Sequence, residues 1–482
     1  MKKAVIKSLV IVLIFTLLGG GGIVSALAAE FSFPPPEVTD EQWDAVWNEI
    51  DETNSAVALT PGSNESERNF AWQSGAEAQD PAVMLSLTND MSEPVTFTGT
   101  SILNKLTGML TNYVTVKGLE PDTVYYYQCS TTLDESGVYS FKTGAEGALK
   151  VIVVADIHIE SSEDGAITEK TSGMVWNKFL EKVVAREPDV NFIMAAGDNA
   201  NVGAAREYLG LFAPPVLKSI PLATCIGNHD KKDYHYRYYM NNPNAYKSLL
   251  GGMLGDDYWY RYGDALFLVY DSTNGSAYDH FNFTKKACDA NPDAKWRIAM
   301  FHHDLHATIA SISKNFEDRA QQLILDPIIS HFDVDAVIVG HNHRYIRTNV
   351  LKGGRVVQST FGKSEITDPK GAIYFGNTSI NHVNTSSFPG VVLDLENAFF
   401  LGEGVMTYQV LTFSEGRMNM KLYRLDDGTV ADEFTIKKSA GNMPQTGKGK
   451  PLGYNIVTVL TFIYALVAKI VEMNNFNQLL NK

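Results

Sequence analysis

The stretch Val151-Ile152-Val153-Val154-Ala155-Asp156-Ile157-His158 decides the fold of this chain. A short β-branched run ended by a carboxylate and an imidazole reads as a buried strand carrying polar groups to its carboxyl end. The same design recurs along the sequence. Residues 192–196 lead into Gly197-Asp198, and residues 221–226 into Gly227-Asn228-His229-Asp230. Residues 298–301 lead into His302-His303, and residues 336–339 into Gly340-His341-Asn342-His343. Strands of this kind belong inside an α/β sheet, and their carboxyl ends form the rim where open α/β sheets bind ligands. Helical spacing over residues 174–184 and 315–331 fits that class, with Pro327 expected to kink or end the second helix. One such block alone would be a turn or a capped helix. Five in order predict a dinuclear metal site.

Mixed Asp, Asn and His donors suit Zn, Mn or Fe and not the all-oxygen preference of calcium. Two such ions, about 3.5–4 Å apart, can hold a hydroxide between them and clamp a phosphoryl oxygen for in-line attack. That chemistry needs a negative bridge, neutral imidazoles and one amide to limit the negative charge. Asp198, the histidines and Asn228 supply these.

Outside this core the composition changes. Residues 52–145 carry short alternating runs (69–72, 83–87, 95–98, 113–116, 124–129 and 138–141) separated by Gly, Pro, Asn and Asp. They predict an all-β sandwich with Trp72 in its core. Residues 381–438 return to β-like runs as closing strands, with Asp426-Asp427-Gly428 as a turn. Residues 40–50 read as a short helical or irregular lead-in. At the N-terminus, Lys2 and Lys3 precede an apolar stretch and Ala26-Leu27-Ala28, which reads as a signal peptide over residues 1–28 or, alternatively, an uncleaved anchor. Residues 439–482 hold a linker and an apolar run at 456–468 that is short for a membrane span.

Whole-chain properties bound the function. Length of 482 residues with 45% hydrophobic content allows two or three domains. A formal charge of −15 argues against a surface that coats nucleic acid. A small anionic substrate remains compatible, because divalent ions would reverse the local field. The three cysteines give no disulfide framework, and Cys225 reads as a small core residue.

The motifs D-x-H, G-D, G-N-H-[DE], a strand-end His and G-H-x-H resemble those of calcineurin-like metallophosphoesterases. Segment 119–127 resembles a stretch of fibronectin type III sandwiches. Together they are similar to the bacterial purple-acid-phosphatase-like branch. The resemblance implies an αββα sandwich over residues 149–380 behind a fibronectin type III-like domain. It implies that Asp156, His158 and His343 hold one metal ion, that Asn228, His302 and His341 hold a second, and that Asp198 bridges them. His229 would assist the leaving group while a bridging hydroxide attacks phosphorus, and Asp230 would orient His229. His303, His306 and Arg344 are rim candidates for substrate contact, with a structural role as the alternative for His306. The aromatic cluster 234–239 would wall a pocket or pack its loop, and packing is the preferred reading.

Two departures matter. Purple acid phosphatases carry an iron-ligating tyrosine where this chain has Asn201, and they lack a histidine ligand where it has His158. An iron–tyrosinate centre is therefore not expected. Met443-Pro444-Gln445-Thr446-Gly447 is similar to the sorting signal of Gram-positive surface proteins, with Met in place of Leu and no basic cluster at the end. The expected protein is an exported or cell-surface phosphomonoesterase of a Gram-positive bacterium, attached through its tail to wall or membrane. A phosphodiesterase or nucleotidase using the same site is the rival enzyme. A surface-binding module with a vestigial metal site is the rival from another class.

Overall fold

The computed structural model describes residues 31–247, 255–306, 316–382, 396–401 and 404–439. The segments read as a leader and as a sorting or membrane tail lie outside these residues.

Two seven-stranded sheets form the centre of the molecule. The first runs in the order Leu222–Thr224, Phe192–Ala195, Leu149–Val154, Thr407–Ser414, Arg417–Arg424, Val430–Lys437 and Glu365–Thr367. Its first three strands are parallel, and the C-terminal hairpins extend it antiparallel from Leu149–Val154. The second contains the parallel strands Ala265–Val269, Trp296–Met300, Ala336–Ile338 and Ile373–Phe375. Each block picked out in the sequence follows one of these parallel strands.

Period-2 alternation explains the layers. Val151, Val153, Met194 and Ala223 point inward against Phe267, Val269, Ile298, Met300 and Ile338 of the facing sheet. Ile152, Val154, Ile193 and Leu222 point outward onto three helices: α1 (Asp40–Thr53), α2 (Glu169–Arg186) and α3 (Ala205–Phe212). On the far side, Leu266, Leu268, Ala299 and Val337 pack against α4 (Ala277–Ala290) and α5 (Phe316–His331). The architecture is therefore αββα, as expected.

The lead-in is a full helix. α1 is capped by Thr39 and Gln42, and it buries Trp43, Trp47 and Ile50 against α2 and α3. Pro327 lies inside α5 without ending it, contrary to one of the two sequence expectations for it. The eight-residue α3 and the helix α4 are not anticipated from the sequence.

The N-terminal domain is a sandwich of two four-stranded sheets around Phe70, Trp72, Val83, Tyr127 and Phe141. The Tyr125 hydroxyl accepts from the Glu120 backbone N–H at 2.8 Å, pinning the turn in segment 119–127. This domain presses on the loop that follows the Gly-Asn-His-Asp block. Asn241 Nδ2 donates to the carbonyls of Phe70 and Val114, both at 3.1 Å, and the Asn241 carbonyl accepts from Asn69 Nδ2 at 2.8 Å. The Tyr113 hydroxyl donates to the Arg237 carbonyl at 2.8 Å. Tyr234, Tyr236, Tyr238 and Tyr239 are buried, so the aromatic cluster packs this loop.

Helix α2 supports the site from behind. Its Trp176 is fully buried and donates to the Leu211 carbonyl at the end of α3. Trp176→Ala is expected to lower unfolding free energy by about 3–5 kcal/mol, read as a lower denaturation midpoint at unchanged slope.

Candidate metal centre

The five strand ends deliver their polar residues to one rim, and the local backbone there is unusual. Asp156, His158, Asp198, His341 and His343 have φ of 52°, 50°, 49°, 75° and 55°. Left-handed backbone costs a non-glycine residue on the order of 1–3 kcal/mol and persists only where surroundings enforce it. Short cross-links do so here: Asp156 N–H donates to the Gly197 carbonyl (3.0 Å), and His158 N–H to the Asp198 carbonyl (2.9 Å). Glycines make the necessary room. A Cβ on Gly227 would lie 2.2 Å from Asp198 Oδ1, one on Gly197 2.6 Å from His302 Nδ1, and one on Gly340 2.7 Å from Asp156 Oδ2.

The side chains converge as overlapping groups. Asp156, His158 and His343 form the first, Asp198, His302 and His341 the second, and His158, Asp198 and His229 link the two, with the donor atoms of each group within 4.8 Å of one another. Asp198 Oδ2 stands between them, 3.2 Å from His302 Nε2 and 3.7 Å from His158 Nε2. Asn228 Oδ1 completes the second group at 2.9 Å from His302 Nε2 and 3.0 Å from His341 Nδ1. His158 Nε2 and His343 Nε2 are 3.1 Å apart, and His302 Nε2 and His341 Nδ1 are 3.2 Å apart.

Such nitrogen pairs fit a shared cation. An ion with Zn–N bonds of about 2.0–2.1 Å holds its donor atoms roughly 3–3.5 Å apart. The opposite ring nitrogens are mostly committed elsewhere, as metal-ligating imidazoles require. His302 Nδ1 donates to the Ala196 carbonyl (3.0 Å), His343 Nδ1 to the His382 carbonyl (3.1 Å), and His341 Nε2 faces Asp318 (3.6 Å). Burial pushes His158 down to about 2, His341 to about 3 and His343 to about 4, so these rings are neutral donors. Burial also works against charge on His302, but the Asp198 carboxylate outweighs it and pushes that ring up to about 10. The donor set and its spacing fit two divalent ions.

Residues 149–345 match the calcineurin-like phosphoesterase family, and residues 55–143 match the purple acid phosphatase N-terminal domain. The chain carries a calcineurin-like phosphoesterase domain behind a purple acid phosphatase N-terminal domain. Acid phosphatase type 7 of Mus musculus is 24% identical over 285 residues, which cover 54% of this chain and 62% of that protein. The chain thus spans less than two thirds of that relative. A purple acid phosphatase from yellow lupin (Lupinus luteus) seeds superposes with a TM-score of 0.63 at 16% identity, covering 80% of this chain and 74% of that one. The PhoD structure gives 0.55 at 13% identity, with 87% and 98% covered. At these identities the likeness shows the fold.

Within the phosphoesterase domain, the seven side chains read as ligands meet at one place. His229 joins them, with its ring edge-on to His158 at 4.8 Å. Its Nδ1 donates to the Asn201 carbonyl at 2.6 Å, and Lys232 Nζ donates to the same oxygen at 3.1 Å. Asp230 does not orient His229, which corrects the expected role. Its buried carboxylate accepts instead from the N–H groups of Asn199, Ala200 and Gly227 and from the Tyr208 hydroxyl. It shapes the two loops that carry Asp198 and Asn228.

The rim candidates also change. His306 is buried, with Nε2 3.2 Å from Asp326 Oδ1 and Nδ1 3.1 Å from Glu396 Oε2, so it is a structural cation and not a substrate contact. His303 is buried behind His341, its Nδ1 bonded to the Ser272 hydroxyl at 2.8 Å. The half-buried Arg344 keeps its place at the rim, with its guanidinium 5.9 Å from the Phe400 ring centroid. Sequence reading missed Ser272, Glu160, Ser379 and His382, which all touch the site. None ends a strand in a motif, and only proximity reveals them.

Burial opposes protonation of His306, but Asp326 and Glu396 overcome it and push the ring up to about 9. This is above the unfolded value of about 6.5. Stability from this group is therefore full below about pH 6.5 and lost as pH rises through its folded value near 9. The melting-temperature gap between wild type and His306→Gln should shrink from pH 6 to pH 9.5. An unchanging gap would contradict the charged assignment.

Proposed function

We propose that this chain is an exported dinuclear-metal phosphatase that hydrolyses small phosphomonoesters. The observation that carries this reading is the Asp198 carboxylate shared by two converging donor groups, with His229 beside them. Asp156, His158 and His343 would hold one ion; Asn228, His302 and His341 would hold the other; Asp198 would bridge. Two divalent ions, when bound, would supply Lewis acidity and a nucleophile at neutral pH.

The chain's own residues do the rest. The Asn201 carbonyl accepts from the Nδ1–H of His229, so in the cationic form of the ring Nε2 is the atom that gives a proton to the leaving oxygen. Lys232, donating to the same carbonyl, adds positive charge next to the place an anionic ester would occupy. Asp230 and Tyr208 keep the Asn199–Ala200 turn rigid, which holds Asp198 and Asn201 in register. Export rests on the basic, apolar and A-x-A pattern of residues 1–28, and surface attachment on residues 443–447 with the apolar run behind them.

The test is phosphate release from an aryl phosphate and from its bis-aryl diester. Wild type should favour the monoester. His229→Ala should lower kcat about 10²–10⁴-fold, the usual worth of a positioned proton donor. Asp198→Ala should lose both activity and bound metal. Equal turnover by wild type and either variant would remove the assignment.

The metal pair should also lack a tyrosinate band. Asn201 Nδ2 donates to Glu160 Oε2 at 3.3 Å, and an amide there cannot supply a phenolate. The metal-loaded protein should show no visible tyrosinate charge-transfer band. A purple preparation would contradict this.

A further inference from the structure

Segment 379–382 belongs to none of the five blocks, yet it reaches every donor of the first group. The buried Ser379 hydroxyl donates to the Asp156 carbonyl at 2.7 Å, and Ile380 N–H donates to the same oxygen at 3.1 Å. Asn381 Nδ2 donates to the Ile157 carbonyl at 2.8 Å. The His382 carbonyl accepts from His343 Nδ1 at 3.1 Å, and the His382 ring stacks on His158 at 4.3 Å with an interplanar angle of 18°. Ser379 Oγ also accepts from His382 N–H at 3.0 Å, which closes the segment on itself. Its root is fixed to the sheets by Asn377, which donates to the Val339 carbonyl at 2.9 Å and accepts from Gln409 Nε2 at 2.7 Å.

We propose that segment 379–382 is a strap that positions Asp156, His158 and His343 for one ion, and that His382 extends its hold through Glu160 and Asn201 to His229. The proposal rests on the metal reading above. His158 is the telling residue. Its Nδ1 has no hydrogen-bond partner among the described residues, whereas His302 and His343 each have theirs engaged. Ring contacts therefore set the angle of His158, with His382 on its face and His229 at its edge. Asp156 and His158 also sit in left-handed backbone, which needs outside support, and the strap bonds the carbonyls of Asp156 and Ile157.

The second half of the proposal follows from three contacts in series. His382 Nε2 lies 3.0 Å from Glu160 Oε2, that oxygen accepts from Asn201 Nδ2 at 3.3 Å, and the Asn201 carbonyl accepts from His229 Nδ1 at 2.6 Å. On the other side, His302 rests on a different support, the Ala196 carbonyl. Loss of the strap should therefore weaken one ion and spare its neighbour. A general loss of stability would not split the two.

The experiment is zinc titration of metal-stripped full chain by calorimetry, with native mass spectrometry to count ions. Wild type should bind two zinc ions. Ser379→Ala and His382→Ala should keep one at wild-type affinity and bind the other about 10–100-fold more weakly, the usual effect of losing a ligand's support. His382→Phe keeps a stacking ring and should recover the weakened site, while still lowering kcat because the link to Glu160 is gone. Should the alanine variants fold poorly, His382→Phe against Glu160→Gln still separates the two halves: both should bind two zinc ions and share the kcat loss. Two ions at wild-type affinity in both alanine variants, or equal weakening of both ions, would overturn the strap. A wild-type chain that binds no zinc would overturn the metal reading itself.

Discussion

Everything at the rim depends on where the Asp198 carboxylate sits. It is buried, and burial alone would push its carboxyl up; the protonated His302 beside it holds it below the usual carboxylate range instead. A buried carboxylate must be matched by positive charge, and the His302 ring beside it is placed to carry that charge. Two divalent ions would meet that demand more fully, releasing His302 to act as a neutral donor. The position itself is cut by glycine. Gly197 at φ 80° turns the chain, and Gly227 leaves the space that the carboxylate oxygen fills. The His229 N–H then clamps Oδ1 at 2.9 Å, so that Oδ2 alone faces the histidines.

A rim built this way stores strain, and the αββα body is what tolerates it. Five left-handed donors would relax if their strands could slide. Register prevents sliding: the parallel pairs 192–195 with 151–154 and 193–195 with 222–224 bury both faces, and a one-residue slip would turn Val151 and Val153 toward the wrong layer. The same rigidity explains why the N-terminal domain matters to a site it does not line. Its strands hold Asn241 and Arg237, the far end of the loop that begins at Gly227.

The sequence shows the strands and the ligands clearly because both obey short-range rules. Apolar runs of about five residues have a fixed period, and a donor at the end of each needs no partner to be noticed. The six runs in the N-terminal region correspond to strands of the sandwich, although Ala58–Pro61 and Thr100–Leu103 pass unseen. Adjacency in sequence misled at Asp230. Its place beside His229 suggested a bond between them, but the tight turn at Gly227 points the carboxylate back toward Asn199 and Ala200. His306 misled for a related reason: a histidine near the site on one loop is paired by Asp326 of α5 and Glu396, both far away in sequence.

Asn201 shows how one substitution can reorganise a site's edge. Its amide cannot supply an anionic oxygen and turns to Glu160, while its backbone carbonyl accepts from His229. His158 brings its Nε2 to 3.7 Å from Asp198 Oδ2. A neutral imidazole adds no negative charge, so an ion held there would keep more of its positive charge. That ion would then polarise a phosphoryl oxygen more strongly while demanding firmer mechanical support, since His158 has no hydrogen bond to anchor its far nitrogen. The packing of His382 over its ring supplies the support that the missing hydrogen bond does not.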